Sequence, residues 1–228
     1  MKTLVIGDIH GMFQELKALL AQVGPVDEII SCGDIIDRGP QSGEVIQFCQ
    51  ENNIKVCLGN HEAMAIYALE DYLDPTVTTF KKLGLTSSDW WSNGGDKVFH
   101  QIEDKLPETL AYFKSLPLFI MTEHTKNGLP IIVSHSLITR CLSDFSQPLD
   151  YKSPVADYAL WNRQIPMSSP YFNIHGHTPT DYFGLTNIPY QSNFHLNIDT
   201  GACYNTTTRG KLTAVLLPDF KIYQQERL

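Results

Sequence analysis

Five short apolar runs in this chain each stop abruptly at a glycine or serine next to a residue that can bind a metal. Leu4-Val-Ile6 leads into Gly7-Asp8-Ile9-His10, and Glu28-Ile-Ile-Ser-Cys32 into Gly33-Asp34. Ile54 to Leu58 leads into Gly59-Asn60-His61, Pro130 to Ser134 into His135, and Tyr171 to Ile174 into His175-Gly176-His177. Runs this short read as buried strands. Between the first three lie helix-period segments: Phe13, Leu16, Leu19, Leu20 and Val23, closed by Gly24-Pro25, then Val45, Ile46 and Cys49, opened by Ser42 as an N-cap and closed by Asn52-Asn53. Strand–helix–strand rhythm predicts a parallel sheet with right-handed crossovers. In such sheets ligands gather beyond the carboxyl ends of the strands. The pattern therefore predicts that polar residues spread over most of the chain meet at one place.

Residues 63–117 read as a mostly helical insertion: Ala63 to Tyr72, a piece running to Gly84, the polar-aromatic loop Ser88 to Gly95, and a helix that Pro107 opens and Pro117 ends. Leu118 to Thr122 and Pro130 to Ser134 flank Asn127-Gly128, the signature of an antiparallel hairpin. Residues 142–157 read as a surface loop, and three further strands follow at Tyr171–Ile174, His195–Ile198 and Lys211–Leu217. No repeat or linker divides the 228 residues, so one domain spanning 1–228 is expected. A net charge of -8 argues against a nucleic-acid surface, while leaving room for an anionic substrate in a locally positive pocket. The five cysteines form no CxxC and sit partly in apolar runs, which fits a reducing compartment. With no signal peptide and no membrane-length apolar run, the expected location is the cytoplasm. Asn205-Thr-Thr207 fits a glycosylation sequon by chance.

The chemistry concentrates in Gly33-Asp-Ile-Ile-Asp-Arg-Gly-Pro40, two carboxylates and a guanidinium within eight residues. Here Asp34 is read as a metal ligand, Arg38 as an anion binder and Asp37 as the group that orients a third residue. Asp8, His10, Asp34, Asn60, His135 and His177 make six candidate ligands, too many for one ordinary site. Their mixture of carboxylate, amide and imidazole suits two borderline divalent ions, Mn²⁺ first, with Fe²⁺ or Zn²⁺ as alternatives. Paired ions clamp the attacking and leaving oxygens of a displacement at phosphorus, and need a bridging carboxylate, for which Asp34 is the natural source.

These motifs, GDIHG (7–11), GDIIDRG (33–39), GNHE (59–62), SHS (134–136) and GHTP (176–179), resemble the phosphoprotein phosphatase branch of the calcineurin-like metallophosphoesterases, in its short bacterial and bacteriophage serine/threonine form. Asn93-Gly-Gly95, Leu160-Trp-Asn-Arg163 and Asp199-Thr-Gly201 extend the resemblance over nearly the whole chain. It implies an α/β (mixed α+β) fold of two packed mixed β-sheets flanked by helices. It further implies that Asp8, His10 and Asp34 hold one ion, and Asp34, Asn60, His135 and His177 the other. His61, paired with Asp37, becomes the general acid, and a metal-bridging hydroxide the nucleophile. Arg38 and Arg163 grip the phosphate with forked donors, and Asn60 contributes to substrate binding. His135-Ser136 departs from the His-Gly-Gly of eukaryotic members and favours a bacterial-type enzyme.

The expected function is hydrolysis of phosphoserine and phosphothreonine in proteins, or of small phosphoesters. The alternative is hydrolysis of dinucleoside polyphosphates such as diadenosine tetraphosphate. Asp37 favours the first, because an alkoxide leaving group needs a supported acid more than a phosphoanhydride does. Two other classes carry less: a cysteine phosphatase loop at Cys203 to Arg209, which lacks the usual glycines, and a binding scaffold, which would have shed ligands. His100, His124 and His195 are read as structural, His175 as core or supporting the site, and Trp90 and Trp91 as packing beneath a loop. No nucleic-acid or membrane partner is expected.

Overall fold

Thr3–Ile6, strand β1, is buried along its whole length, because the sheet it centres is covered on both faces. The two-residue period of a strand sorts its side chains. Leu4 and Ile6 face a helical layer containing Leu16, Leu19, Ile46 and Cys49, while Val5 faces a second sheet through Ile131, Val133, Phe172 and Ile174. The computed structural model of the chain describes residues 1–74, 87–139, 155–165, 168–204 and 210–228.

After β1 come α1 (Phe13–Val23), β2 (Glu28–Ser31), α2 (Ser42–Glu51), β3 (Lys55–Val56) and α3 (Asn60–Leu73). A short helix α4 (Ser87–Trp90), a wide turn at Trp91–Gly95, α5 (Asp96–Ile102) and α6 (Leu106–Ser115) follow. The hairpin β4 (Phe119–Lys126) and β5 (Leu129–Ser134) precedes α7 (Ala156–Trp161), β6 (Phe172–His175), β7 (Tyr190–Gln191), β8 (His195–Asn197), β9 (Lys211–Leu217) and β10 (Lys221–Glu226). The first sheet has the order β10-β9-β1-β2-β3, and the second β4-β5-β6-β8-β7. β1, β2 and β3 are parallel, as are β5, β6 and β8, with antiparallel strands at the edges of each sheet. Both sheets are therefore mixed, as expected. Cys32 and Cys57, fully buried, belong to the layer between them.

Several local expectations are corrected. α3 begins at Asn60, so Asn60 and His61 stand on a helix's first turn rather than in a loop before it. Ser42 is the first residue of α2 and caps nothing; its hydroxyl accepts the Asp37 backbone N–H at 3.1 Å instead. Ser88 to Gly95 is helix and wide helical turn rather than open loop, with Trp90 wholly buried beneath it. The surface loop expected through residue 157 gives way to α7 at Ala156. The helical piece near Gly84, Cys141, loop residues 142–154, the sequon at Asn205, and Arg209 lie outside the described residues. Among the described residues no helix is long and apolar enough to cross a membrane.

Candidate active site

The carboxyl ends of β1, β2, β3, β5 and β6 converge, and the six predicted ligands meet there, all buried. The two sheets are joined at this point by Asp8, whose carboxylate oxygens accept the His177 N–H at 3.3 and 3.1 Å. Gly176 makes that approach possible, since a Cβ there would overlap the Asp8 carboxylate. Asp34 lies at the centre. Its Oδ1 accepts the His61 N–H at the start of α3 (3.0 Å) and lies 3.5 Å from His135 Nε2; its Oδ2 lies 3.7 Å from His10 Nε2. Ligand-capable atoms of His10, Asp34 and His61 fall within 4.8 Å of one another, and so do those of Asp8, Asp34 and His135. Asp34 is common to both groups.

The local backbone accounts for this convergence. His10, Asp34, Asp37, Arg38 and His177 have φ of 46°, 48°, 68°, 63° and 71°, the left-handed region that non-glycine residues rarely occupy. Glu62, fully buried on α3, holds the Asp34 turn open. Its two carboxylate oxygens accept the N–H groups of Asp34 (2.9 Å), Ile35 (2.8 Å) and Gly59 (2.9 Å). In the sequence, Glu62 stands out only as the last residue of the GNHE motif. Its three-residue spacing from the start of the helix is the capping-box signal that would have given it a role.

The donor set fits cations. His135 Nδ1–H donates to the Cys32 carbonyl (3.2 Å), so its Nε2 is an acceptor, and that acceptor faces Asn60 Oδ1 at 2.8 Å. His177 Nδ1 lies 3.0 Å from the same oxygen and 3.1 Å from His135 Nε2. Lone pairs turned on one another in a buried space are what a bound cation resolves. His10 has the matching tautomer: Nδ1–H donates to the Ile36 carbonyl (2.8 Å), and Nε2 accepts from Arg38 Nη1 (3.0 Å). Burial holds His10 well below its ordinary pKa, and takes His135 down to about 3 and His177 to about 2, so the rings are neutral. Burial, then the charges of Asp199 and Asp34, push the Asp8 pKa well up; burial also raises that of Asp34. Clustered buried carboxylates and neutral imidazoles suit divalent cations.

Beside this cluster stands a second arrangement. His61 Nδ1 and Asp37 Oδ2 are 2.5 Å apart, and Trp90 Nε1–H donates to Asp37 Oδ1 at 3.1 Å. Burial, then Asp34, pushes Asp37 up to about 8, and burial takes His61 down to about 4. At neutral pH the pair thus holds one proton between them. His61 Nε2 faces the cluster, 3.8 Å from Asp34 Oδ2.

Arg38 is exposed, and its guanidinium also donates to the Tyr204 hydroxyl at 3.2 Å. Arg163 is exposed as well. Its charge adds to the lowering of the His135 and His177 pKa values and opposes the rise that burial gives Asp199, and it borders a cleft of about 350 Å³ with Thr200, Gly201 and Tyr204. His175 Nε2 lies 3.2 Å from His195 Nδ1, behind the ligands. His124 packs against Thr3 (3.1 Å), and His100 is exposed. No spacing in the sequence pointed to Trp90 or Tyr204; only tertiary packing brings them here.

A cluster of this kind at the strand ends of two mixed sheets defines a metal-dependent hydrolase. Residues 1–199 match the calcineurin-like phosphoesterase family, and the chain belongs to that family, whose members use a dinuclear divalent metal site. It is 30% identical over 208 residues to serine/threonine-protein phosphatase 2 of Salmonella typhimurium, covering 87% of this chain and 86% of that one. It is also 45% identical over 143 residues to the symmetrical bis(5'-nucleosyl)-tetraphosphatase of Buchnera aphidicola, covering 60% of this chain and 44% of the relative. Among solved structures, a protein serine/threonine phosphatase from Saccharomyces cerevisiae has the same fold, with a TM-score of 0.64 at 17% identity, covering all of this chain and 80% of that one.

Proposed function

We propose that the chain is a phosphomonoesterase acting on phosphoserine and phosphothreonine in proteins. The carrying observation is the 2.5 Å contact between His61 and Asp37, which keeps a proton at the edge of the ligand cluster. An alkoxide is a poor leaving group, and a placed acid typically gives about 10²–10⁴-fold on such a reaction. Asp8, His10 and Asp34 would hold one divalent ion, and Asp34, Asn60, His135 and His177 the other, Mn²⁺ suiting the mixed donor set. When bound, such ions neutralise phosphoryl charge and acidify water. Arg38 and Arg163 orient the non-bridging oxygens of the phosphate, with Asn60 beside them. As water adds to phosphorus and the ester P–O bond breaks, His61 Nε2–H delivers its proton to the departing oxygen. The products are an alcohol and inorganic phosphate. Buried free thiols at Cys32, Cys49 and Cys57 support a reducing, cytoplasmic setting.

A second reading, hydrolysis of dinucleoside polyphosphates, is favoured by the 45% identity to the Buchnera tetraphosphatase. The two separate in an Mn²⁺-loaded assay comparing a phosphothreonine peptide, p-nitrophenyl phosphate and diadenosine tetraphosphate. The peptide is expected to be cleaved and His61→Asn to lower that rate sharply; a kcat/KM far higher on the dinucleotide would overturn the protein-phosphatase reading.

A further inference from the structure

We infer that Trp90 is a positioning residue for the proton donor: its indole N–H fixes the Asp37 carboxylate, and through it the His61 ring, in the orientation that poor leaving groups require. The inference rests on the proposed acid role of His61.

Asp37 is fully buried and divides its carboxylate between two partners. Oδ2 meets His61 Nδ1 and Oδ1 receives Trp90 Nε1–H at 3.1 Å, while the Asp37 N–H is held by Ser42 Oγ. A carboxylate bound at one oxygen can swing about its Cβ–Cγ bond; bound at both it cannot. The Trp90 contact therefore fixes the plane in which His61 is held.

Trp90 in turn is immobilised by the segment that follows it. The indole is fully buried, with the Trp91 ring 4.9 Å away. Gly95 lies flat on its face: a Cβ there would stand 2.7 Å from both Cε2 and Cγ and nearer still to Cδ2. Gly94, at φ 99°, turns the backbone just before Gly95, and the Asn93 amide donates to the Asp89 carbonyl at 2.8 Å. The Asn93-Gly94-Gly95 motif, which no ligand role explains, is thus a clamp for one side chain. Misplacing a reacting group by about 1 Å can cost about 10²-fold, so a clamp remote from substrate still acts on rate.

The test replaces Trp90 site-specifically with β-(3-benzothienyl)alanine, which keeps the ring shape and removes the N–H; Trp90→Phe serves as a second variant. Substrates are p-nitrophenyl phosphate, phenyl phosphate and a phosphothreonine peptide. In the isostere, kcat on the peptide and on phenyl phosphate should fall about 10–100-fold, a part of the acid's contribution. The loss on p-nitrophenyl phosphate should be at least tenfold smaller, and KM should stay within about twofold. In a His61→Asn background the same replacement should add nothing, because both changes disable one proton transfer. An equal loss on all substrates, no loss, or a full loss persisting in the His61→Asn background would each overturn the inference. The aryl pair reads the acid whatever the natural substrate, so a wild-type enzyme inactive on the peptide would count against the proposed substrate and not against this contact.

Discussion

Gly176→Ala puts the closest approach in the site to the test. A Cβ at 176 would overlap Asp8 Oδ1, and would stand 2.9 Å from Cγ and 3.4 Å from Oδ2. Asp8 is 3% exposed and cannot turn out into solvent. Its carboxylate must retreat, stretching the bonds at 3.1 and 3.3 Å that it accepts from the His177 N–H. Overpacking typically costs about 1–3 kcal/mol, and a buried N–H left without its acceptor about 1–3 kcal/mol. The expected destabilisation is thus about 3–5 kcal/mol, roughly 10 °C in Tm for a chain of this size. Displacing Asp8, a proposed ligand, should also weaken divalent-ion binding about 10–100-fold. Thermal unfolding in chelator reads the first effect, and titration calorimetry with Mn²⁺ the second. Asp8→Ala supplies the control: it removes the obstacle, so in the double variant Gly176→Ala should cost at least 1 kcal/mol less than it does alone. Wild-type Tm and Mn²⁺ affinity in Gly176→Ala would refute the reasoning, and so would strict additivity in the double variant.

Mn²⁺ at about 100 times its Kd should stabilise the wild type by about 2.7 kcal/mol, and Asp34→Asn should abolish most of that shift, both read by thermal unfolding with and without chelator. Ser42→Ala leaves the buried Asp37 N–H without its acceptor; a stability loss of about 1–3 kcal/mol is expected in denaturant titration, with kcat on alkyl esters falling more than KM changes. His195 is 1% exposed, and burial takes its pKa from 6.5 to about 4. The unfolded chain therefore binds a proton that the folded chain refuses, so this stability is complete above pH 6.5 and is lost as pH falls towards 4, up to about 3 kcal/mol. His195→Asn should flatten that slope by about one proton, as measured by unfolding at several pH values; an unchanged slope would count against it.

What the sequence exposed, and what it hid, follow from the range of the forces involved. Apolar runs ending at Gly7, Gly33, Gly59, His135 and Gly176 are local, so the strands and their converging ends could be read directly. The Asn127-Gly128 hairpin was equally local; both residues are left-handed, at φ 55° and 78°. β10 was missed because Lys221–Glu226 is an edge strand, with β9 as its one sheet neighbour and no buried face to impose an apolar period. The strain at the site was hidden more deeply. Glycines mark where the chain must bend, yet His10, Asp34, Asp37, Arg38 and His177 themselves carry the positive φ. Only contacts such as those of Glu62 with the Asp34 and Ile35 N–H groups hold such residues there, and those contacts join segments more than twenty residues apart. Trp90, 53 residues from Asp37, belongs to the same class.

Burial also resolves the tension between a chain of net charge -8 and an anionic substrate. Asp8, Asp34, Asp37, Glu62 and Asp199 are all buried, each occupied by backbone N–H groups, imidazoles or the indole. Among the described residues, Arg38 and Arg163 are the exposed cations beside them, with exposed Asp96 and Asp181 nearby. Two guanidinium groups thus stand at the solvent edge of the site, where they can meet a phosphoester, and the buried acidic groups act on it only through whatever they hold. Net charge describes the whole surface, whereas recognition depends on which charges remain uncovered at the strand ends. Arg38→Ala should accordingly raise KM on a phosphoester, whereas replacing an exposed acidic residue far from the strand ends should leave KM unchanged; equal effects in steady-state kinetics would refute this.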